Sequence, residues 1–292
     1  MSEPARTVLI TGCSSGIGHA SALRLARAGW TVYATARRPE SIADLAEAGC
    51  ETLALDVTDE GSMATAVGHV EAASGPVGAL VNNAGYSQSG AIETLPMERL
   101  RDQFETNVFG LARMCQLVLP GMRSAGSGRI VNVSSMGGKL TFPGGGAYHA
   151  SKHAVEALSD ALRFEVRNFG VEVVVIEPGL IKTRFGETAA GSLGDAASGP
   201  AGEQETGSAD PYAAFNAAVG AATVGAYQGP LSRLGGGPDS VARVIARALD
   251  ARNPRPRYKV TPSARLILAQ RRLLPDRAWD AFLGSQFPRP GS

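Results

Sequence analysis

The chain has 292 residues, of which 44% are hydrophobic and 19% are charged, and its formal net charge is +1. This balance is typical of a globular chain, and it gives no reason to expect nucleic acid or an anionic membrane surface as a partner. No apolar run reaches the roughly 18 residues of a membrane span, and the amino terminus does not resemble a signal peptide. Cys13, Cys50 and Cys115 lack metal or redox spacing, which favours reduced thiols in the cytoplasm and no bound metal.

Apolar, β-rich runs alternate along the chain with segments of helical periodicity, which predicts an α/β fold with parallel strands joined by helical crossovers. Strands are predicted over residues 7–11, 31–35, 52–55, 79–81, 129–133, 171–176 and 257–261. Helices are predicted over residues 17–28, along an apolar stripe between 100 and 118, over a segment between 155 and 169, and over 239–251. No linker divides the chain, so residues 1–292 are expected to form a single domain.

The composition changes after Thr183. Residues 186–209 are rich in Gly, Ala and Ser and contain few large apolar side chains, so they cannot bury much surface. A long loop inside a compact domain is usually functional or mobile, and we expect residues 184 to about 236 to form a substrate lid. The tail, from about residue 262 to 287, is expected to form one or two short amphipathic helices.

Residues 11–18 form a glycine-rich turn between the first predicted strand and the first predicted helix. Gly12 permits a sharp turn, Gly16 permits close approach of a ligand to the backbone, and Gly18 permits tight helix packing. The helix start then offers free N–H groups and the positive end of its dipole to a pyrophosphate. The alternative, a plain strand–helix turn, is left open by the glycine spacing alone. The predicted dinucleotide contacts in this turn are Gly12, Ser14, Ser15, Gly16, Ile17 and Gly18.

The second predicted strand is followed by Arg37 and Arg38. In NAD-binding folds an acidic residue near this point binds the ribose 2′-hydroxyl group. Here no carboxylate is present to repel a 2′-phosphate, and the planar guanidinium of Arg37 is placed to receive one. NADP(H) is therefore favoured over NAD(H), although a solvated pair of surface arginines is the alternative.

Tyr148 and Lys152 are four residues apart at the start of a predicted helix, so they lie on one face. That face continues through Val155 and Leu158, which are expected to face the sheet, so the tyrosine and the lysine are expected to point into a cleft. The nearby ammonium should lower the pKa of Tyr148 from about 10, and the phenol then exchanges a proton with a substrate oxygen. Ser135, after the fifth strand, is placed to hold the same oxygen. Taken alone, such a pair is more often a surface helix contact.

Other polar residues near these motifs are given structural roles. His149 and His153 flank the lysine and are expected to point away from its face, toward solvent or an interface. Glu177 is expected to be structural. Asn82 is interpreted as pinning the fourth strand to its neighbour.

Five motifs in one order carry a resemblance to a known family. They are residues 11–18, Asp56-Val57, residues 82–85, residues 132–135 followed by 148–152, and Pro178-Gly179 followed by Thr183. With these motifs the chain resembles the short-chain dehydrogenase/reductase family from about residue 7 to 183, and more loosely to about 258. The resemblance implies a Rossmann-like, doubly wound parallel sheet flanked by helices. Residues 11–15 and 32–37 are similar to the branch that contains 17β-hydroxysteroid and retinol dehydrogenases.

The resemblance implies a role for each matched residue. Ser135 would orient the substrate oxygen, and Tyr148 would donate or accept the proton. Lys152 would bind the nicotinamide ribose and lower the Tyr148 pKa, and Asn107 would anchor a water that links Lys152 to solvent. The remaining implied cofactor contacts are Asp56 at the adenine amino group, Val57 at the adenine ring, Asn83, Ala84 and Gly85 at the adenosine ribose, and Thr183 at the carboxamide after the Pro178-Gly179 turn.

The function that these residues favour is hydride transfer between NADP(H) and a carbonyl or secondary alcohol. An epimerase that works through a transient ketone and a sensor that binds the dinucleotide without chemistry are the alternatives. The expected substrate is a fairly large, hydrophobic ketone of steroid, retinoid, fatty or polyketide type, and a homodimer or homotetramer is expected. Apolar side chains expected around the site are Met136, Leu140, Phe142 and Phe185, with Tyr212 and Phe215 beyond the glycine-rich loop.

Overall fold

The computed structural model describes residues 5–183, 188–189, 191–192, 211–228 and 230–290. Its strands are β1 (Thr7–Ile10), β2 (Thr31–Ala36), β3 (Glu51–Ala54), β4 (Ala79–Asn82), β5 (Gly128–Val133), β6 (Val171–Glu177) and β7 (Arg257–Lys259). They form a parallel sheet in the order β3-β2-β1-β4-β5-β6-β7. The predicted doubly wound parallel sheet is confirmed.

Helices connect the strands and continue beyond them. They are α1 (Gly16–Arg27), α2 (Ala43–Glu47), α3 (Glu60–Ser74), α4 (Met97–Phe104), α5 (Gly110–Ala125), α6 (Gly146–Val166), α7 (Ala213–Gln228), α8 (Pro238–Asp250), α9 (Pro262–Leu273) and α10 (Asp276–Gly284). A π-helical turn, Glu105–Phe109, joins α4 to α5. None of the helices in the described part of the chain combines the length and the apolar character that crossing a bilayer requires.

Two apolar layers cover the sheet because alternate strand residues point to opposite faces. Val8 and Ile10 of β1 pack with α1, α2 and α8 on one face. Leu9, between them, packs with α3, α5 and α6 on the other face. A sheet covered on both faces explains the nearly unbroken apolar sequence of β6.

The order of the strands reverses between β1 and β4, and this reversal positions the site. In open α/β sheets a crevice forms at such a point, outside the carboxyl ends of the strands. An amide chain fixes the neighbouring strands there: Asn82 Nδ2 donates to Asn132 Oδ1 at 3.0 Å, and Asn132 Nδ2 donates to Ser159 Oγ at 2.9 Å. Asn82 therefore pins β4 to β5 in the way its sequence position indicates.

The buried stripe of α6 differs from the predicted one. Val155 is fully buried, but Leu158 is 41% exposed. The residues buried with Val155 are Lys152 and Ser159, which are one helical turn away on either side. The prediction that Leu158 faces the sheet is wrong, because eleven residues make about three full helical turns, which returns Ser159 and not Leu158 to the face of Tyr148.

Candidate active site

A cleft of 1390 Å³ runs along the carboxyl edge of the sheet. It collects residues that are far apart in the sequence, because the loops after β1, β2, β3, β4, β5 and β6 all open onto this edge. The predicted site residues that line it are Gly12, Ser14, Ser15, Gly16, Ile17, Arg37, Asp56, Val57, Asn83, Ala84, Gly85, Ser135, Tyr148, Lys152, Pro178, Gly179 and Thr183. Gly18 and Asn107 do not line the cleft and lie behind the residues that do.

The turn between β1 and α1 brings backbone N–H groups to one end of the cleft. Gly12 and Gly16 have φ angles of 72° and 62°, in the left-handed region that side chains disfavour. Helix α1 begins at Gly16, and Ser15 before it makes no side-chain cap hydrogen bond. The first N–H groups of the helix are therefore available to an anionic ligand, which the positive end of the helix dipole also favours.

Asn83 holds this turn against the end of β4. Its Nδ2 donates to the carbonyl oxygens of Thr11 and Gly12 at 3.0 and 2.9 Å. In return, the hydroxyl of Thr11 accepts the N–H groups of Asn83 and Ala84, both at 3.0 Å. A Cβ at Gly18 would collide with the Gly12 carbonyl oxygen, so α1 starts in direct contact with the turn. The part that the Thr11 and Asn83 side chains take in shaping the turn was not predicted from the sequence.

The loops after β2 and β3 form the far end of the cleft. Arg37 is exposed and lines the cleft directly after β2, whereas its neighbour Arg38 does not line it. Asp56 is held in place because its Oδ1 accepts the N–H and the hydroxyl of Thr58, at 2.9 and 2.8 Å. Val57 is buried beside it. A guanidinium and a fixed carboxylate therefore face the same end of the cleft.

Ser135 and Tyr148 meet at the middle of the cleft. Ser135 follows β5 and caps a short 3₁₀ turn by accepting the Gly137 N–H at 3.0 Å. Tyr148 lies in the first turn of α6, and its hydroxyl is hydrogen-bonded to that of Ser135. One turn later, Lys152 Nζ donates to the carbonyl oxygen of Val133 at 2.9 Å and lies 5.9 Å from the centre of the Tyr148 ring.

The protonation states of this group follow from burial. Burial raises the pKa of Tyr148, and the hydrogen bond from Ser135 offsets only part of that effect. Burial also lowers the pKa of Lys152 to about 8, which leaves the amine mostly protonated at neutral pH. The expected lowering of the Tyr148 pKa by the lysine is not found, because desolvation of the phenolate outweighs the favourable contacts. Tyr148 is therefore a neutral phenol that can donate a proton.

Asn107 supports this group from behind. It is buried in the π-helical turn, where its Oδ1 accepts the N–H of Tyr86 at 3.1 Å. Its Nδ2 donates to the Tyr86 carbonyl oxygen and to Ser151 Oγ, both at 3.0 Å. A Cβ at Gly85 would lie 3.0 Å from Asn107 Oδ1 and 3.6 Å from Lys152 Nζ, so both side chains reach the same point. The water relay implied for Asn107 remains a prediction.

The end of β6 completes the cleft beside the phosphate turn. Pro178 and Gly179 line it, and Gly179 packs so closely against Thr261 and Ser263 that a Cβ would collide with both hydroxyl oxygens. Thr183 lies against the turn between β1 and α1, since a Cβ at Gly16 would be 3.3 Å from its Cγ2. The loops that follow β1 and β6 thus converge.

His149 corrects the sequence-based prediction that it points away from the site. It is buried and lines the cleft, and its Nδ1 lies 3.0 Å from the Gly137 carbonyl oxygen. Its ring is 5.5 Å from that of Tyr148 and 6.0 Å from that of Phe142. Burial lowers its pKa to about 4, so the imidazole is neutral at pH 7 and donates its Nδ1–H to the carbonyl. His153 is exposed, which agrees with the prediction for that residue.

The remaining side of the cleft, which we call the outer wall, comes from the carboxyl-terminal third of the chain. It consists of Val219, Ala222, Thr223, Gly225, Ala226, Tyr227, Leu266, Ile267, Gln270, Phe282, Leu283, Gln286 and Phe287. None of these residues is charged. The helices α7, α9 and α10 therefore present an uncharged, largely apolar surface to the cleft. The amphipathic tail predicts one or two helices here, and the structure has two, but nothing in the tail sequence indicates that they reach the site.

The aromatic residues expected around the substrate are placed differently. Met136 and Phe142 line the cleft, and Leu140 is buried behind them in the same apolar cluster. Tyr212 and Phe215 do not line the cleft: Phe215 is buried in a separate cluster, and the Tyr212 hydroxyl donates to Glu93. They anchor the start of α7 instead. Phe185 and residues 193–210 of the expected lid lie outside the described residues.

Comparison with known proteins agrees with this geometry. A family model described as short chain dehydrogenase matches residues 6–191. YbbO, an uncharacterized oxidoreductase of Escherichia coli K12, is 36% identical over 279 residues, which cover 95% of this chain and 94% of that protein. An NADPH-dependent 3-dehydrocapnine reductase of Ornithobacterium rhinotracheale is 34% identical over 284 residues, which cover 94% and 95%. The solved structure of a short-chain dehydrogenase from Streptomyces avermitilis has a TM-score of 0.74 and 34% identity, covering 96% of each chain.

Proposed function

Because the chain belongs to the short-chain dehydrogenase/reductase family, we propose that it reduces a large, uncharged, apolar ketone to a secondary alcohol with NADPH. The observation that carries this proposal is the hydrogen-bonded pair of Ser135 and Tyr148 beside Lys152, in the same cleft as a glycine-rich anion cradle. A binding protein would not require a proton donor at this point. The test is NADPH consumption in the presence of steroid, retinoid, fatty and polyketide-like ketones, with analysis of the product.

The cleft fits a dinucleotide. The turn with positive φ angles at Gly12 and Gly16 places the uncapped start of α1 where a pyrophosphate would accept its N–H groups. Asp56 and Val57 would hold the adenine, and residues 83–85 would hold the adenosine ribose. Lys152 would bind the nicotinamide ribose, and Thr183 would bind the carboxamide. When bound, the nicotinamide supplies the hydride that the carbonyl carbon receives.

The proton comes from the protein. The carbonyl oxygen of the substrate would accept hydrogen bonds from Ser135 and Tyr148, whose hydroxyls are already joined. As the carbon gains hydride, the oxygen becomes more basic, and Tyr148 transfers its phenolic proton to it. The ammonium of Lys152 stabilises the phenolate that is left, until solvent returns the proton. Burial keeps Tyr148 protonated before the reaction, which is the state that reduction of a ketone requires.

The preference for NADPH rests on Arg37. Its guanidinium is exposed at the end of the cleft that would hold the adenosine, and β2 ends without a carboxylate in the position that would repel a phosphate. A planar guanidinium can donate two hydrogen bonds to the 2′-phosphate. The relative from Ornithobacterium rhinotracheale, which is named as NADPH-dependent, supports the same preference.

The substrate class rests on the outer wall. Burying an unpaired charge against this uncharged wall costs free energy. A substrate with a charged group in the part that contacts the outer wall is therefore disfavoured. Apolar walls with a few polar anchors are typical of sites for large hydrophobic ligands. The resemblance to the 17β-hydroxysteroid and retinol dehydrogenase branch fits this class. Product analysis separates net reduction from epimerisation, which would leave the cofactor unchanged after the reaction.

Residues 184 to about 236 are proposed to act as a lid over the substrate, within a single domain. Ser192 supports their placement, since its hydroxyl accepts the Ser89 N–H at 2.9 Å near the mouth of the cleft. A test that keeps this contact replaces residues 193–209 with a short glycine–serine linker. The variant should retain NADPH affinity, and its KM should rise more for a large apolar ketone than for a small one. An equal effect on both ketones would show that the segment is only a surface insertion and not a lid.

A homodimer or homotetramer is part of the proposal. Phe109, in the turn that precedes α5, is 55% exposed, and Leu158 and Phe164 on α6 are 41% and 87% exposed. Apolar side chains grouped on exposed helices are typical of contacts between subunits. A cytoplasmic location is also proposed, because Cys13, Cys50 and Cys115 are all free and buried. Light scattering of the purified protein gives its mass in solution, and a monomer would contradict the assembly.

A further inference from the structure

Tyr227 brings a second phenol to the catalytic centre. It lies near the end of α7 in the outer wall and packs with Met136 and Phe142, the apolar residues that follow Ser135. Tyr227 and Tyr148 line the same cleft, and Tyr227 contributes, after burial, to raising the pKa of Tyr148, so the two phenols are within electrostatic range of each other. The cleft therefore holds two phenols: Tyr148, which would contact the reacting oxygen, and Tyr227 in the outer wall.

The hydroxyl of Tyr227 differs from its neighbours in its hydrogen bonding. Ser135 and Tyr148 bond to each other, His149 bonds to Gly137, and Thr223 donates to the Val219 carbonyl oxygen of its own helix at 2.8 Å. Within the described part of the chain, Tyr227 has no hydrogen-bond partner, although it is half-buried in an otherwise apolar cluster. Among the described residues the Tyr227 hydroxyl is not one of the fully buried polar atoms without a partner, and Tyr227 lines the cleft, so a ligand with a matching polar group can pair with this hydroxyl.

We propose that the Tyr227 hydroxyl is a specificity-determining anchor, which hydrogen-bonds a polar group on the carbon chain next to the carbonyl that is reduced. The inference rests on the proposed ketone reduction and narrows its substrate class. The substrate would be an apolar ketone that carries an oxygen or nitrogen function one or two carbons from the carbonyl, such as a β-keto ester or a β-hydroxy ketone. Burial raises the pKa of Tyr227, so the anchor is a neutral phenol that can donate or accept.

The two phenols would bind different groups of the substrate. Tyr148 and Ser135 hold the oxygen of the carbonyl that reacts. Tyr227, reaching from α7, would hold the second polar group and thereby select which end of the carbon chain points toward the outer wall. A ketone without that group would leave the phenol unpaired and would bind in more than one orientation. Specificity of this kind is strong because a buried polar group rejects a ligand that cannot pair with it.

The test compares Tyr227→Phe with Tyr212→Phe, which removes a phenolic hydroxyl just before the same helix but outside the cleft. The substrates are a long-chain β-keto ester and the plain ketone of the same chain length. The measured quantity is the ratio of kcat/KM for the two substrates at saturating NADPH. In Tyr227→Phe we expect this ratio to fall by about threefold to tenfold, the worth of one hydrogen bond, and in Tyr212→Phe we expect no change. An unchanged ratio in Tyr227→Phe would overturn the proposal.

A second measurement separates this inference from the proposed function. The oxidised cofactor, NADP⁺, cannot reduce a ketone, so the dissociation constant of the β-keto ester can be measured by calorimetry on the protein saturated with NADP⁺. Tyr227→Phe should raise that constant by about threefold to tenfold relative to Tyr212→Phe. If neither ketone is reduced by the natural chain, the proposed function fails, and this ratio of dissociation constants still decides the role of Tyr227. Equal constants in the two variants would show that the phenol only fills space.

Discussion

The hydroxyl groups of Ser135 and Tyr148 are hydrogen-bonded to each other, although one follows β5 and the other begins α6. The short 3₁₀ turn after Ser135 and the first turn of α6 are held together by the contact between His149 and the Gly137 carbonyl oxygen. The serine and the tyrosine are thus fixed before any substrate is bound. This preorganisation is what the proposed proton transfer requires.

Replacing Tyr148 with Phe removes the proton donor and keeps the ring. We expect kcat to fall by about 10² to 10⁴, the range for loss of acid–base catalysis, while the dissociation constant of NADPH stays within about threefold of its original value. Steady-state kinetics with the preferred ketone and a fluorescence titration of NADPH measure the two quantities. Turnover near that of the natural chain would show that the proton comes from another group.

Replacing Arg37 with Asp places a carboxylate where the 2′-phosphate is proposed to bind. The kcat/KM ratio of NADPH to NADH should fall below one, because attraction to the phosphate becomes repulsion and an acidic residue is provided for the 2′-hydroxyl. Arg38→Asp is the matched control, since Arg38 is also exposed but does not line the cleft. If Arg38→Asp shifts the ratio as much as Arg37→Asp, the effect is one of net charge and the assignment of Arg37 is wrong.

His149 should make the folded state sensitive to acid. Its pKa is lowered from 6.5 to about 4, so between these values the unfolded chain binds more protons than the folded chain. The free energy of unfolding should therefore decrease as the pH falls from 6.5 toward 4, by about 3 kcal/mol in total. Above pH 6.5 His149 causes no such loss, because the imidazole is neutral in both states. His149→Gln should flatten the change in the free energy of unfolding over that range, and His153→Gln should not. Denaturant titrations at several pH values measure both slopes.

The outer wall should set affinity for the apolar part of the substrate. Ile267→Thr replaces an ethyl branch with a hydroxyl on α9, and we expect kcat/KM for a large apolar ketone to fall about tenfold, the worth of a lost methylene contact. Leu273→Thr is the control on the same helix, because Leu273 is 82% exposed and does not line the cleft. NADPH affinity should be unchanged in both. Similar losses in the two variants would point to destabilised packing of α9.

Much of the architecture follows from local sequence. The alternation of apolar strands with amphipathic helices predicts the parallel sheet, and the predicted strand ends agree with the structure to within about two residues. The motif residues converge because loops at the carboxyl ends of parallel strands share one edge of the sheet. Helices α3 and α7 escape prediction because both are rich in small residues, which leaves little contrast in sequence between their buried and exposed positions.

Other features depend on packing that the sequence does not reveal. His149 is adjacent to Tyr148, so helical periodicity assigns it to another face, yet the 3₁₀ turn after Ser135 covers that face and buries it. The outer wall depends on α9 and α10 returning across the cleft from residues 262–284, a long-range placement that local pattern does not specify. The pKa of Tyr148 also depends on packing. The sequence indicates that a lysine lies near Tyr148, but only the structure shows that burial of the phenol raises its pKa more than the favourable contacts lower it.

Hydride transfer from NADPH to a ketone is the central claim, and isotope transfer tests it most directly. The protein is incubated with NADPH that carries deuterium at the transferable position of the nicotinamide and with each of the ketone classes, and the products are analysed by mass spectrometry. We predict a secondary alcohol with one deuterium on its carbinol carbon, formed in equal amount to the NADP⁺ produced, and its loss in Tyr148→Phe. Alcohol without deuterium, or no alcohol from any ketone class, would contradict the claim.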